Sequence, residues 1–308
     1  LFPRARLHLG GRRCRRRCMA LANYVSAHDW YRWQFISIDG QPVRAMNNVT
    51  TLADCKIADA PWLDSIAICC GVGGAEYQPS SALSAWLHDR YNRGAHVGSI
   101  STGAWCLARM RLLNERQFTV HWEDIEALQE SFPSLQPRRD IFVVDGRVFS
   151  CSGGTAAVDM FLSFVANDHG SDLAQRVSEQ LVHGNIRSHQ ETQQLSVGAR
   201  IGSNNRVLVN AVHLMETHCE APLSIRAIAG RLQVTERHLE RLFKEQLTTT
   251  PQLYYRAVRL SLARRLLRGT ARSIREVALA AGFPNPSYFS RCYRSQFGYS
   301  PIRERSKA

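Results

Sequence analysis

Between Leu223 and Pro301 the chain states one pattern twice. Leu223 to Pro251 reads LSIRAIAGRLQVTERHLERLFKEQLTTTP, and Arg272 to Pro301 reads RSIREVALAAGFPNPSYFSRCYRSQFGYSP. Ser224-Ile225-Arg226 aligns with Ser273-Ile274-Arg275, Leu239-x-Arg241 with Phe289-x-Arg291, Phe243-Lys244 with Tyr293-Arg294, and Pro251 with Pro301. The offset is 49 residues before the internal turn and 50 after it, so the second copy has one extra turn residue. A duplication of this kind means one supersecondary unit used twice, and it constrains the fold more than any other stretch of the chain.

Each copy spells helix, short turn, helix. The first helices (Ile225 to Leu232; Ile274 to Ala281) carry small inward residues, Ala229 and Ala278, where a second helix must come close. Thr235 is placed to cap the second helix of the first copy. Gly282 takes a left-handed turn freely in the second copy, whereas Gln233 must take it at some cost in the first.

The second helices divide by face. Leu239, Leu242 and Phe243 point inward, as do Phe289, Cys292 and Tyr293. Arg237, Glu240, Arg241 and Lys244 fall at i, i+3, i+4 and i+7 on the other face, and so do Ser287, Ser290, Arg291 and Arg294. A major-groove reader needs this set: a bidentate donor for guanine and cationic arms for phosphate. One such helix alone reads equally as a solvated charged face; the matched pair favours a double helix-turn-helix that binds double-stranded DNA through these eight residues.

The charge follows the repeat. The formal net charge is +13, of which residues 207–308 carry +10 and residues 1–18 carry +7, while 19–206 is at −4. A basic module attached to a mildly acidic one assigns the polyanion to the basic module. The length of 308 residues suits two domains. Nine scattered cysteines imply no disulfide framework and fit a reducing cytoplasm. Cys14-x-x-x-Cys18 has no second Cys/His pair nearby at ligand spacing, so no metal or cofactor is expected. No apolar run reaches the roughly 18 residues needed to span a membrane, and there is no signal-peptide core.

Residues 1–18 show no alternation and no helical stripe. They read as a disordered or artefactual basic tail; the alternatives are an arm that touches DNA or anionic lipid, and a transit-like segment. From Trp33 strands and helices alternate. Trp33 to Ile38 is a strand closed by Asp39-Gly40. Ser65 to Cys70 is a buried strand opening on Gly71-Val72-Gly73-Gly74. A helix is expected at Ala82 to Asn92, a strand at Ala95 to Ile100, and a helix from Ser101-Thr102-Gly103-Ala104 to Leu113. Ile141 to Val144 and Val148 to Cys151 form a hairpin around Asp145-Gly146. Helices at Thr155 to Asn167 and Asp168 to Leu181 complete an α/β domain with a mostly parallel sheet. The polar stretch 183–205 reads as a linker.

In VGSISTGAWCLA a strand runs through a sharp turn of small residues into a helix, the shape of a nucleophile elbow with Ser101 at its apex. The N–H groups of Thr102 and Gly103 suit a carboxylate there. His121 offers a base, but no third member is specified.

Arg206 to Arg305 resembles the AraC/XylS family of DNA-binding domains, most closely in AAGFPNPSYFSRCYRSQFGYSP. The resemblance implies a long helix, Gln252 to Arg268, joining two motifs that enter successive major grooves. The stretches VGSISTGAWCLARMRLLN, TVHWEDIEAL, FVVDGRVFSCSGGTAAVDMFLSFV and HGSDLAQRVSEQLV make 19–182 similar to the class I glutamine-amidotransferase-like (PfpI-like) domain, as found in the sensor half of GlxA-type AraC regulators. It implies a flavodoxin-like parallel-sheet domain, 19–182, followed by an all-α DNA-binding domain, 206–308. It also implies a homodimer, contact with RNA polymerase, and a small-molecule effector, a quaternary amine such as carnitine or glycine betaine. Effector contacts would come from Ser101, Thr102, Gly103, Trp105, His121, Trp122 and Glu123.

Two departures stand out. Ser101 occupies the elbow position where the family's enzymes carry Cys, and Cys106 lies a helical turn too late to replace it. The family's first strand and most of its first helix should precede Ala20, where the Arg-rich stretch stands, so a sheet edge is expected to lie open. The expected function is an effector-controlled regulator without catalytic residues. The alternatives are an amidase or protease using Ser101, and an inert, poorly folded relative.

Overall fold

The computed structural model describes residues 12–45, 48–71 and 73–306. The chain forms two compact units, Leu1–Gln193 and Gln194–Ala308. Among the described residues no helix is long and apolar enough to cross a membrane.

The first unit opens with α1 (Arg12–Ser26) and the two-residue strands β1 (Ile36–Ser37), β2 (Val43–Arg44), β3 (Thr50–Thr51) and β4 (Cys55–Lys56). It continues as β5 (Ser65–Cys70), α2 (Ser81–Asn92), β6 (His96–Ser101), α3 (Gly103–Arg109), α4 (Ile125–Ser131), β7 (Phe142–Asp145), β8 (Val148–Cys151), α5 (Ala156–His169) and α6 (Ser171–Gln180). The main sheet has the order β5-β6-β8-β7, parallel except for the β7–β8 hairpin. Strand period two divides β5 between two cores. Ile66, Ile68 and Cys70 join α2, α3 and α4 on one face, while Ala67 and Cys69 join α1, α5 and α6 on the other. This is the flavodoxin-like α/β domain expected.

Two boundaries are corrected. The segment expected to be a patternless tail through Cys18 is helical from Arg12, and Cys18 and Ala22 are fully buried against α5 and α6. Arginine is a good helix former, and the inward stripe of buried Cys18 and Ala22 with half-buried Val25 begins where the Arg run ends, so it shows only across that boundary. The expectations for residues 1–11 lie outside the described residues. The stretch 183–205 is not a free linker either. His183 to Gln193 is bonded to the first unit, and Val197–Ile201 is a helix of the second. Three of its polar side chains, His183, Arg187 and Gln193, bond to groups of the first unit.

The open edge expected of the sheet is at β5, which has β6 as its one strand neighbour among the described residues. A cleft of about 980 Å³ runs beside it, lined by Trp33, Phe35 and Ile36 as well as β5 residues. Of the strand expected at Trp33 to Ile38 only Ile36–Ser37 pairs, because its partner β4 is equally short.

The second unit comprises α7 (Val197–Ile201), α8 (Arg206–Thr217), α9 (Ile225–Arg231), α10 (Glu236–Leu247), α11 (Pro251–Gly269), α12 (Ile274–Ala280), α13 (Pro286–Phe297) and α14 (Pro301–Arg305). Ser224 and Ser273 cap the first helix of each copy, Ser273 in a full capping box with Glu276. One core joins α8, α9 and α10; the other joins α12 and α13. Helix α11 serves both, giving Tyr255 to the first and Leu260, Ala263, Leu266 and Leu267 to the second. Arg259 lies between them, its guanidinium over the rings of Tyr255 (5.4 Å) and Phe283 (4.5 Å) while it donates to Gly282 O.

Glu304 of α14 has no exposed surface and accepts from Arg264 (3.0 Å), Arg268 (2.7 Å) and the Tyr293 hydroxyl (2.7 Å). Burial pushes its carboxyl up, but the bonds from Tyr293, Arg268 and Tyr299 outweigh that and hold it below the usual 4.5. A folded pKa below the unfolded one adds stability above pH 4.5, and that stability is lost as pH falls through the folded value. Glu304→Ala is expected to cost about 2–4 kcal/mol in chemical denaturation, less than the ~3–5 of a wholly buried pair because both guanidinium groups stay partly hydrated. It should also flatten the acid limb of the stability curve. Ala22→Asp buries a charge under α5 and α6; a loss of at least about 3 kcal/mol is expected, and an unchanged melt would return α1 to the status of a tail.

Candidate nucleic-acid interface and effector pocket

Both recognition helices are fixed by local chemistry. Thr235 accepts from His238 N to start α10, and Asn285 accepts from Ser287 N and Tyr288 N to start α13, with Pro286 at the first helical position. The turn before α10 puts Gln233 at φ 56°. The turn before α13 puts Gly282 at φ 74°, where a Cβ would collide with the carbonyl of Cys219. Gln233 therefore bears the left-handed strain that glycine avoids.

Leu239, Leu242 and Phe243 are buried, as are Phe289, Cys292 and Tyr293. Arg237, Glu240, Arg241, Lys244, Ser287, Arg291 and Arg294 are exposed, and Ser290 is half-buried. Arg241 lies 3.2 Å from the His238 ring, and Arg291 lies over Tyr288 at 5.6 Å. Among the described residues no ion pair joins Glu240 to Lys244, so that carboxylate and that ammonium both face solvent. At 1.5 Å per residue α11 is about 28 Å long, close to the ~34 Å between successive major grooves.

In the first unit β6 ends at Ser101 with φ 57°, a left-handed elbow at a non-glycine residue. Room for it exists because neighbours lack side chains. A Cβ on Gly153 would sit 2.7 Å from that of Ser101, one on Gly74 would strike Thr102, and one on Gly103 would strike the Ile68 carbonyl. Thr102 donates its hydroxyl to Gly71 O (2.7 Å), and Thr102 and Gly103 are buried.

Beside the elbow is a pocket of about 180 Å³ lined by His121, Trp122, Ile141, Ser152, Gly153, Gly154, Thr155, Ala156, Arg187 and Gln193. His121 faces Glu123 at 3.8 Å and tilts against Trp122, and among the described residues it forms no hydrogen bond with Ser101. The structure corrects one candidate. Trp105 is 1 % exposed, donates to Asp124 Oδ1 (2.9 Å) and packs on Phe132, so it belongs to the core. Burial pushes the Asp124 carboxyl up.

Sequence reasoning missed Arg187 and Gln193. The signal was Asp159, a lone acid in the apolar run AAVDMFLSF. Its carboxylate has no exposed surface and accepts from His183 Nε2 (2.9 Å), Arg187 N (2.9 Å), Nε (3.0 Å) and Nη2 (2.6 Å). A buried acid demands a cation, and Arg187 was available downstream.

Known proteins share both halves. A helix-turn-helix domain model matches residues 228–307, and the DJ-1/PfpI family model matches 20–167. The HTH-type transcriptional regulator CdhR of Pseudomonas aeruginosa is 42% identical over 94% of this chain and 85% of its own length. The chain belongs to the GlxA-type regulators of the AraC/XylS family. GlxA of Rhizobium meliloti itself is 38% identical over 79% of this chain and 75% of that protein. The crystal structure of a Vibrio parahaemolyticus protein, 16% identical, superposes with a TM-score of 0.51 over 59% of this chain and 95% of that one, a likeness of fold alone. This GlxA-type regulator therefore binds double-stranded DNA through its helix-turn-helix unit and carries a PfpI-like sensor unit.

In this GlxA-type regulator Arg237→Ala is expected to cost about 1–3 kcal/mol at one base position, and Lys244→Ala to weaken all sequences alike with a shallower salt slope. Competition binding against a library of operator variants separates the two. A uniform loss from Arg237→Ala would move it to phosphate.

Proposed function

We propose that this regulator reads DNA through two successive major grooves and changes its grip when a small zwitterionic amine enters the pocket beside Ser101. Arg237, Glu240, Arg241, Ser287, Ser290 and Arg291 meet base edges and flanking phosphates, with Lys244 and Arg294 on the backbone. The observation that supports the effector reading is the pocket itself. Trp122, His121 and Arg187 line it, Glu123 stands 3.8 Å from His121, and Ser101 adjoins its Gly153 wall. An aromatic face with a carboxylate receives a quaternary ammonium, at about 0.5–2 kcal/mol per cation–π contact, and a guanidinium or the turn N–H groups suit its carboxylate. Carnitine and glycine betaine carry both charges. Of the seven expected contacts, Ser101, His121, Trp122 and Glu123 remain in this proposal, Thr102 and Gly103 act through their backbone, and Trp105 is left to the core. The reading includes a homodimer that contacts RNA polymerase in the cytoplasm, where a DNA-binding regulator has its operator.

A second reading draws on one feature. The strained elbow at Ser101 has the shape of a hydrolase nucleophile. Against it, His121 is engaged with Glu123, and a serine without a built base is a poor nucleophile.

All six tryptophans (30, 33, 62, 86, 105, 122) precede the DNA-binding repeat, so intrinsic fluorescence reports the sensor unit. Titration with carnitine or glycine betaine is expected to shift emission saturably, with affinity weakened at least about ten-fold in Ser101→Trp, which fills the elbow. Steady hydrolysis of an amide or peptide, abolished by Ser101→Ala, would replace the binding reading by the hydrolase.

A further inference from the structure

The segment that leaves the sensor unit is also a wall of its pocket. After α6 the chain turns at Val182 (φ 54°), and His183 and Arg187 both reach Asp159 on α5. Arg187 Nη2 also donates to Thr155 Oγ1 (2.8 Å), so the pocket's Thr155 corner is tied to this segment. Further on it runs along the start of the β7 strand: Ile141 N donates to Glu191 O (3.0 Å), Asp140 bridges Thr192, and Gln193 N donates to Arg139 O (3.3 Å). Gln193 ends the segment inside the unit. Its Nε2 donates to Thr119 Oγ1 (2.8 Å), Val120 O (2.9 Å) and Asp140 O (3.1 Å). The next residue, Gln194, is the first of the DNA-binding unit.

Gln193 is left with one unmet group. Two of its partners are carbonyl oxygens, so the amide nitrogen must face them, and Oε1 is the atom left over. Oε1 is buried without a hydrogen-bond partner among the described residues, in a residue that lines the pocket. A buried, unpaired amide oxygen is destabilising until a donor arrives. Oε1 has essentially no accessible surface, so a ligand hydroxyl or N–H in the pocket can supply that donor only by drawing the amide toward it.

We propose that the segment 183–193 is the strap through which an occupied pocket alters DNA binding, with Gln193 as the contact that the effector completes. This rests on the reading of the pocket as the effector site. It also narrows the effector class to zwitterions that carry a hydrogen-bond donor. Carnitine has a hydroxyl; glycine betaine has none. Both fill the pocket, but the hydroxylated compound holds Gln193 and with it the lead into the second unit. Coupling then depends on the direct join of Gln193 to Gln194, because inserted slack absorbs any displacement.

The experiment uses the full chain, a DNA fragment selected for binding to it, and carnitine and glycine betaine as probes. Sensor fluorescence reads ligand binding; fluorescence anisotropy of labelled DNA reads the operator. In the wild type carnitine is expected to change DNA affinity by about five-fold or more, and glycine betaine by less. Three glycines inserted between Gln193 and Gln194 leave the pocket untouched. They should keep carnitine binding within about two-fold while the DNA response falls below about two-fold. A full response in the insertion variant overturns the strap. A response to glycine betaine equal to that of carnitine overturns the role of Gln193 Oε1.

A ligand-free arm separates this from the effector reading. Arg187→Ala and, because it strips the guanidinium from buried Asp159, Gln193→Leu as a milder second variant, loosen the strap. Faster amide hydrogen exchange across 183–193 with an intact melt verifies the release. Either loosened variant should shift DNA affinity by about five-fold or more with no ligand present. Unchanged affinity with a loosened strap overturns the proposal. If neither amine shifts wild-type fluorescence, the effector reading falls, and this arm still decides the strap.

Discussion

Among the described residues Asp159 and Glu304 are carboxylates without exposed surface, and each fastens the end of its unit. Asp159, on a helix of the sensor core, takes Arg187 and His183 from the segment that leaves that unit. Glu304, on the last helix, takes Arg264 and Arg268 from the central helix of the DNA-binding unit. A buried carboxylate tolerates few arrangements, because losing a partner leaves an uncompensated charge. The chain ends that close the two units are therefore held in one geometry. Apolar contacts alone would let them slide by a rotamer or a turn at little cost.

That geometry matters most in the DNA-binding unit, where α11 belongs to both cores. Tyr255 ties its first half to α8 and the chain before α9, through bonds to His218 O and from Leu223 N. Leu260, Ala263, Leu266 and Leu267 tie its second half to α12 and α13. Arg259 stands at the join, stacked on a ring from each side, and burial lowers the pKa of its guanidinium. Two recognition helices carried on one rigid rod keep a fixed separation. The proposed two-groove binding needs that, since orienting two free motifs would cost binding energy.

The sensor unit is arranged around tight places rather than charge. Ser101 sits at a left-handed turn that Gly74, Gly103 and Gly153 make room for. Strand, turn and helix then lie too close for any side chain to intervene, and the open volume collects on the side of Gly153, Gly154 and Trp122. An enzyme fold turned to sensing keeps this construction: the turn that exposes a nucleophile equally exposes a binding surface.

Much of this was legible in the residues. The duplicated pattern determined two helix-turn-helix motifs, their inward and outward faces, the Thr235 cap and the strained turn at Gln233, because all are set within one or two turns of helix. Strands β5 to β8 were legible too, since period-two burial and turn residues are local signals. Three things were decided only by the tertiary structure. Trp105 reads as a site residue, yet α3 is buried on every side from Gly103 to Ala108, so it has no amphipathic face to show which way the ring points. The helix within the Arg-rich start shows its stripe only where α5 and α6 cover it. The segment 183–193 is polar and aperiodic, as a linker is. It is a wall of the pocket because Asp159, 28 residues upstream of Arg187, is buried and must be neutralised. Local rules determine elements, but which distant polar group answers a buried charge depends on how the elements pack, and no spacing in the chain encodes it.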